Sequence, residues 1–403
     1  MADIEYLKSL KAVRERAHLV LKAAEKNELT HFSYLPELMP KVTEYVAGII
    51  NRDFGPDKFN EIPPHGRWQH FNVGGVDRVQ NLINDWKLAG HDELETTRRL
   101  IDLFFVAVLL DAGAGDFWKF TEPDTGNSYG RSEGHGLSSL DIATFRKHFQ
   151  ITPENEIIGD SSRVDLLKSV GLSLLSLPEI FGSDGRPGSL VDYLLANKKG
   201  ENLNYETLWS VLQRTLLPAW PKNRTQISGV PIGDAWPLKV LENLSSGQQS
   251  ENDTLKIQPF HKLTQWLAYS LSVPFIRILQ FKWDNIDQGT GLPEYRNGGL
   301  FVDLGVLKLK DDVLKQGLEN SGQRVPSFDA TSDVIVEWRA MTVALLDSLH
   351  GLISDHFAQQ GVRLSMTQML EAGAWKGGRE LAAKYRPETK SSPIVIEGDG
   401  TLF

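Results

Sequence analysis

The sequence predicts a mainly α protein: a single large helical domain, or two tightly packed helical lobes, with few short strands. Three observations carry that expectation. Apolar residues recur at helical spacing over much of the 403-residue chain, laying a stripe along one side of each segment. Runs that alternate apolar and polar residues, the mark of a half-buried strand, are scarce. No internal repeat at a solenoid period is visible, so the helices belong to a globular core rather than to an array.

Taken in order, residues 4–27, 35–52 and 76–89 read as amphipathic helices. Between the second and third lies Pro63-Pro64-His65-Gly66-Arg67-Trp68-Gln69-His70, turn residues followed by aromatic and cationic groups. Residues 92–111 predict a central buried helix. They turn almost wholly apolar from Ile101 to Leu110, a run longer than common strands. Asp111-Ala-Gly-Ala-Gly115 and Tyr129-Gly-Arg131-Ser-Glu133-Gly-His135-Gly136 follow, across a polar loop that also carries Trp118. Two readings of this glycine-rich stretch stay open: a helix C-cap with a loop, or a cradle of backbone N–H groups for a phosphate. Residues 162–180 and 203–217 predict further helices, separated by a turn at Gly182 to Gly188. The polar stretch Gly247 to Asn252 is the best linker. It divides the chain into lobes 1–246 and 253–403, which together form one structural unit. Pro259 opens a helix on which His261, Gln265 and Tyr269 recur every four residues, with Lys262 beside them. Ser332 reads as an N-cap for a helix striped by Val334, Trp338, Met341, Leu345, Leu349 and Leu352, with Glu337 and Arg339 on a neighbouring face. Residues 364–382 predict the last helix.

Composition narrows the function. A net charge of −9 leaves no basic surplus for nucleic acid, and the absence of cysteine removes disulfides, thiolate metal sites and a cysteine nucleophile. The ten histidines show no paired-ligand spacing, so neither a metal nor another cofactor is expected. No P-loop or GxSxG elbow occurs. The longest apolar run, Leu103 to Leu110, is about half of a membrane span, and the charged first residues lack a signal-peptide core. A soluble, cytoplasmic protein is expected.

The most informative stretch is Gly291-Leu-Pro-Glu-Tyr-Arg-Asn-Gly-Gly-Leu-Phe-Val-Asp303. Turn residues frame Glu294, Tyr295, Arg296 and Asn297, and the stretch ends on an acid inside the apolar run 300–307. Burying a carboxylate without a partner costs several kcal/mol. Asp303 therefore either serves structure, neutralising an arginine such as Arg339, or faces a pocket that uses its charge.

These words resemble a known family. Asp111-Ala-Gly-Ala-Gly115, Arg131-Ser-Glu-Gly134, Pro259-Phe-His-Lys-Leu263 with Gln265-Trp266, and the 291–300 stretch all look like signatures of the uncharacterised-domain family of the ring-opening uracil-catabolism pathway. So do Phe301-Val-Asp-Leu-Gly-Val-Leu307, Glu337-Trp-Arg-Ala340 and the Asp399-Gly-Thr end. The wording departs at His135 and at Gly159 to Arg163, which carry none of the roles below. Phe301-Val-Asp303 and Glu337-Trp-Arg-Ala340 also resemble queuosine-nucleotide N-ribosyl hydrolases, a helical family similar to helix-hairpin-helix DNA glycosylases.

The resemblance implies an enzyme that hydrolyses the N-ribosidic bond of ribosylurea or its 5-phosphate, giving urea and ribose or ribose 5-phosphate. Cleaving that bond develops oxocarbenium character, which a carboxylate stabilises. Asp303 is the expected group. Glu133, Glu294, Gln265 and Tyr295 are candidates for protonating or hydrogen-bonding the departing urea. Arg131, Lys262 and Arg296 are candidates for the phosphate, and Trp118 and His261 for further substrate contacts. Glu337 and Arg339 are expected to hold Asp303 in place. Contact with other enzymes of the pathway is implied as well. The competing expectation is a non-catalytic partner that shields a labile intermediate; a DNA-base glycosylase fits the acidic charge poorly.

Overall fold

A computed structural model of the chain describes residues 2–110, 120–121, 128–129, 146–147, 150–152, 160–221, 224–246 and 253–398. Two compact units are drawn from interleaved stretches rather than from the halves 1–246 and 253–403. The first takes residues 1–65, 225–262 and 287–398; the second takes 66–224 and 263–286. Both are mainly helical, and among the described residues each strand pairs with one partner over two or three residues.

The first unit is built on helix Asp333–Ala358, which packs against Leu10–Ala24, Met39–Phe54 and Tyr295–Asp303. The stripe expected on it widens into burial all round: every residue from Val334 to Leu346 is buried, including Glu337 and Arg339. A helix apolar on all sides is a core helix, and its two charges must find partners inside. The segment 4–27 forms two helices, Ala2–Leu7 and Leu10–Ala24, because Ser9 Oγ caps the second by accepting from Ala12 N at 3.1 Å. Among the described residues four strand pairs lie in the unit, one of them the short antiparallel pair Gln226–Ile227 and Val230–Pro231. Phe32–Tyr34 runs antiparallel to Leu307–Leu309, Ala235–Pro237 antiparallel to Ile257–Pro259, and Ser327–Asp329 parallel to Val395–Glu397.

The second unit is organised around helix Glu93–Leu110. Leu100, Ile101, Phe104, Phe105 and Ala107 to Leu110 are buried there, as their apolar run predicts. Phe104 meets Trp68 and Phe71 with ring centroids 6.0 and 5.6 Å apart. Helices Arg78–Leu88, Asp160–Leu175 and Leu190–Ala196 pack on it. The expected helix 162–180 ends at Leu175, and Pro178 starts a separate turn of helix. No helix of the described residues is long and apolar enough to cross a membrane.

Candidate active site

Four stretches of the first unit meet around one buried ion pair. Arg339, on the central helix, donates from both terminal nitrogens to the Asp234 carboxylate at 2.8 and 2.7 Å. The two side chains are 2 and 3 % exposed. Asp234 also accepts from Trp236 Nε1 at 2.8 Å and from Lys262 N at 3.0 Å. Burial works against its charge, but the Arg339 guanidinium outweighs burial and holds the carboxyl well below the usual carboxylate range. Arg339 Nε reaches Pro293 O at 3.4 Å, and its guanidinium lies 4.0 Å from the Phe260 ring centroid. One arginine thereby ties residues 234–236, 260–262 and 293 to the spine of the unit.

Glu294 sits at the edge of this centre, and part of the stretch framed by turn residues is helical. Residues Tyr295–Asp303 are helical, and Glu294 is their N-cap. Its carboxylate accepts from Arg296 N at 2.7 Å and Asn297 N at 2.5 Å. Gly298 and Gly299, read as turn residues, lie inside the helix. A Cβ on Gly298 would stand 2.8 Å from the Trp338 ring and 2.9 Å from Thr342 Oγ1. Gly298 is therefore glycine for close packing on the central helix, whereas a Cβ on Gly299 would meet Pro393 at 3.0 Å. Burial pushes the Glu294 carboxyl up, opposed by the two N–H bonds and by the charges of Lys262 and Arg296. Lys262 is half-buried and Tyr295 exposed, while Glu294 itself is buried. Arg296 itself donates to Lys390 O at 2.7 Å.

His261 does not share a face with Gln265 and Tyr269. Its φ of +48° is left-handed, and the helix begins only at Lys262, so the four-residue spacing breaks at its first member. The imidazole is buried against Leu7 O at 2.8 Å, and burial lowers its proton affinity. Gln265 and Tyr269 are buried on helix Lys262–Arg277, in the second unit.

Asp303 is held by an arginine that the sequence did not single out. Its oxygens accept from Arg386 at 2.8 and 2.6 Å, with side-chain exposures of 6 % for Asp303 and 13 % for Arg386. Glu337 and Arg339, expected to support Asp303, face other groups. Glu337 accepts from the backbone N–H of Thr30, His31 and Phe32 at 2.8, 2.8 and 3.0 Å, fixing the strand Phe32–Tyr34. Arg339 belongs to Asp234. Glu294 and Asp303 also stand at opposite ends of a nine-residue helix, about 13 Å apart along its axis at roughly 1.5 Å per residue. That exceeds the roughly 5–9.5 Å between the two carboxyl groups of a glycosidase pair. Trp118, Arg131 and Glu133 lie outside the described residues.

Asp234 and Arg386 are the additions that sequence reasoning missed. Asp234 had one weak signal, an acid between Gly233 and Trp236 in a loop of turn residues. Arg386 had none. His65 Nδ1 contacts Glu371 Oε2 at 2.6 Å.

Comparison with known proteins agrees with the uracil-catabolism resemblance. The chain is 40 % identical to "Uracil catabolism protein 4" of Lachancea kluyveri over 440 aligned residues, covering 99 % of both chains. It is 42 % identical to "Protein urg3" of Schizosaccharomyces pombe over 425 residues, covering 98 % of both. The similarity to N-ribosyl hydrolases gains no support from these relatives. With the family described as a protein of unknown function (DUF1688) matching residues 6–144 and 134–403, the chain belongs to that family.

Proposed function

We propose that this protein acts in uracil catabolism and that its chemistry there is hydrolysis of the N-ribosidic bond of ribosylurea or its 5-phosphate. The pathway rests on the name of a relative matched over nearly its whole length. The hydrolytic part rests on one observation: Glu294, an acid whose proton affinity burial raises, stands within the field of Lys262 and next to Pro293, which Arg339 of the buried ion pair holds.

In this reading water adds through oxygen to C1′ as the C1′–N bond breaks. Glu294 gives its proton to the departing urea nitrogen, and the proton released by the water restores the acid. Urea is a poor leaving group, so protonation is where a group with raised proton affinity helps most. The Lys262 ammonium supplies the charge for a 5′-phosphate. The Asp234–Arg339 pair keeps residues 260–262 and 293 in place while this happens. Asp303 is left a structural role, since both its oxygens are taken by Arg386.

A second reading, a non-catalytic binder that shields the intermediate, is favoured by one fact. Both Glu294 oxygens already accept backbone N–H groups, an arrangement sufficient for a helix cap alone. Incubation with ribosylurea 5-phosphate separates the two. Hydrolysis releases urea, and Glu294→Gln, whose amide oxygen keeps one of the two capping bonds, should slow that release by roughly a hundredfold or more. Saturable binding without urea release makes the protein a binder; equal release by parent and variant removes Glu294 from the chemistry.

A further inference from the structure

The second unit contains a cavity that plays no part in the reading above. Its volume is about 470 Å³, within the roughly 300–1,000 Å³ of small-molecule sites. Three helices each turn one face to it. Arg99, Asp102, Leu103 and Val106 follow the spacing of one side of helix Glu93–Leu110. Leu82 and Trp86 lie four apart on Arg78–Leu88, and Gly171, Leu174 and Leu175 share a side of Asp160–Leu175. The turn 184–187 closes the fourth wall. Leu82, Trp86, Leu103 and Val106 are only half-buried, although they sit where three helices meet. An apolar seam left incompletely filled at such a junction is a place for a ligand.

Its two halves differ in chemistry. One is apolar with an aromatic platform, Trp86, braced by the Arg99 guanidinium 5.8 Å from its ring centroid. The other is polar and rigid. Asp102 accepts from Arg186 Nε at 2.8 Å and Gly188 N at 2.6 Å, and Arg186 donates to Glu95 at 2.9 Å. Arg186 is thus neutralised by two carboxylates. Asp102 and the exposed Asp184 remain as hydrogen-bond acceptors at the wall. A phosphate would meet Asp102 and Asp184 here, and both cations of the lining, Arg99 and Arg186, already pair with Glu95. Neighbouring hydroxyl groups would meet acceptors, and a flat ring would meet Trp86 and the leucines.

We infer that this cavity binds an uncharged nucleoside, its base against Trp86 and its ribose hydroxyls donating to Asp102 and Asp184. The site is independent of the hydrolytic reading and stands or falls apart from it. Equilibrium dialysis of the full chain with uridine, uridine 5′-monophosphate and ribose tests it. Uridine should bind saturably, at least tenfold more tightly than either the monophosphate or ribose. Leu103→Trp, which fills the cavity, should abolish uridine binding. Asp184→Ala, at an exposed position that folding tolerates, should weaken it several-fold. Urea release from ribosylurea 5-phosphate, followed in the same preparations, should be the same in Asp184→Ala as in the parent. The inference is overturned by absence of saturable uridine binding at millimolar concentration. Equal binding of uridine and its monophosphate would also overturn it, as would unchanged uridine affinity in a folded Leu103→Trp or in Asp184→Ala.

Discussion

Replacing Asp303 by asparagine tests whether the acid at the end of the 291–303 stretch serves chemistry or structure. The structure forecasts a loss of stability. The amide would keep the shape and one acceptor but leave the Arg386 guanidinium, 13 % exposed, without its counter-charge. Breaking a buried pair by removing one partner costs about 3–5 kcal/mol. Here Arg386 retains the Ser391 carbonyl at 2.7 Å and some contact with water, so the lower end, about 3 kcal/mol, is the expected cost. For a cooperative unit of 150–250 residues this lowers Tm by roughly 6–12 °C. Arg386→Met alone should also destabilise, because it strands the carboxylate. The double variant should lose less than the sum of the two, since neither charge is then left alone. Calorimetry on the four proteins gives the coupling, and urea release measured below the lowest midpoint gives the chemistry. An Asp303→Asn protein that melts with the parent yet turns over about a hundredfold more slowly would refute the structural assignment and return the charge to the transition state.

Two further outcomes follow from the same unit. Gly298→Ala should destabilise by about 1–3 kcal/mol in urea denaturation, although alanine is the better helix former by about 1 kcal/mol, because its methyl group would press on the Trp338 ring; a stabilised variant would show that the helices separate at little cost. His261, held neutral by burial next to Asp234 and Arg339, contributes stability that is present above the unfolded histidine value of about 6.5 and is lost as pH falls below it. The stability advantage of the parent over His261→Gln should therefore be larger at pH 7.5 than at pH 5.5, and an advantage that grows on acidification would reverse the sign.

The two central helices were legible because their signal is local. Ile101 to Leu110 and Val334 to Leu346 carry enough apolar residues to need burial on more than one side, whatever packs against them. The 291–303 stretch was legible as unusual but not as a helix. Its glycines and proline are turn residues by themselves. Gly298 lies in a helix capped by Glu294, and from forty residues away Trp338 packs on it and donates its indole Nε1 to Gly298 O at 3.2 Å.

The acids show the same boundary more sharply. An aspartate in an apolar run requires a partner, since the desolvation cost exceeds what any run of leucines returns. Sequence alone establishes the requirement and is silent on the identity. Two aspartates of the first unit needed arginines, and two arginines were there to meet them. Arg339, the partner reasoned for Asp303, takes Asp234, 105 positions away; Asp303 takes Arg386, 83 positions away. Nothing in the spacing distinguishes that pairing from its exchange. The consequence for function is direct, because a carboxylate already matched by a guanidinium presents little net charge to a developing cation. Once Arg386 is assigned to Asp303, the acid left for the proposed proton transfer is Glu294, whose burial raises its proton affinity against the opposing charges of Lys262 and Arg296.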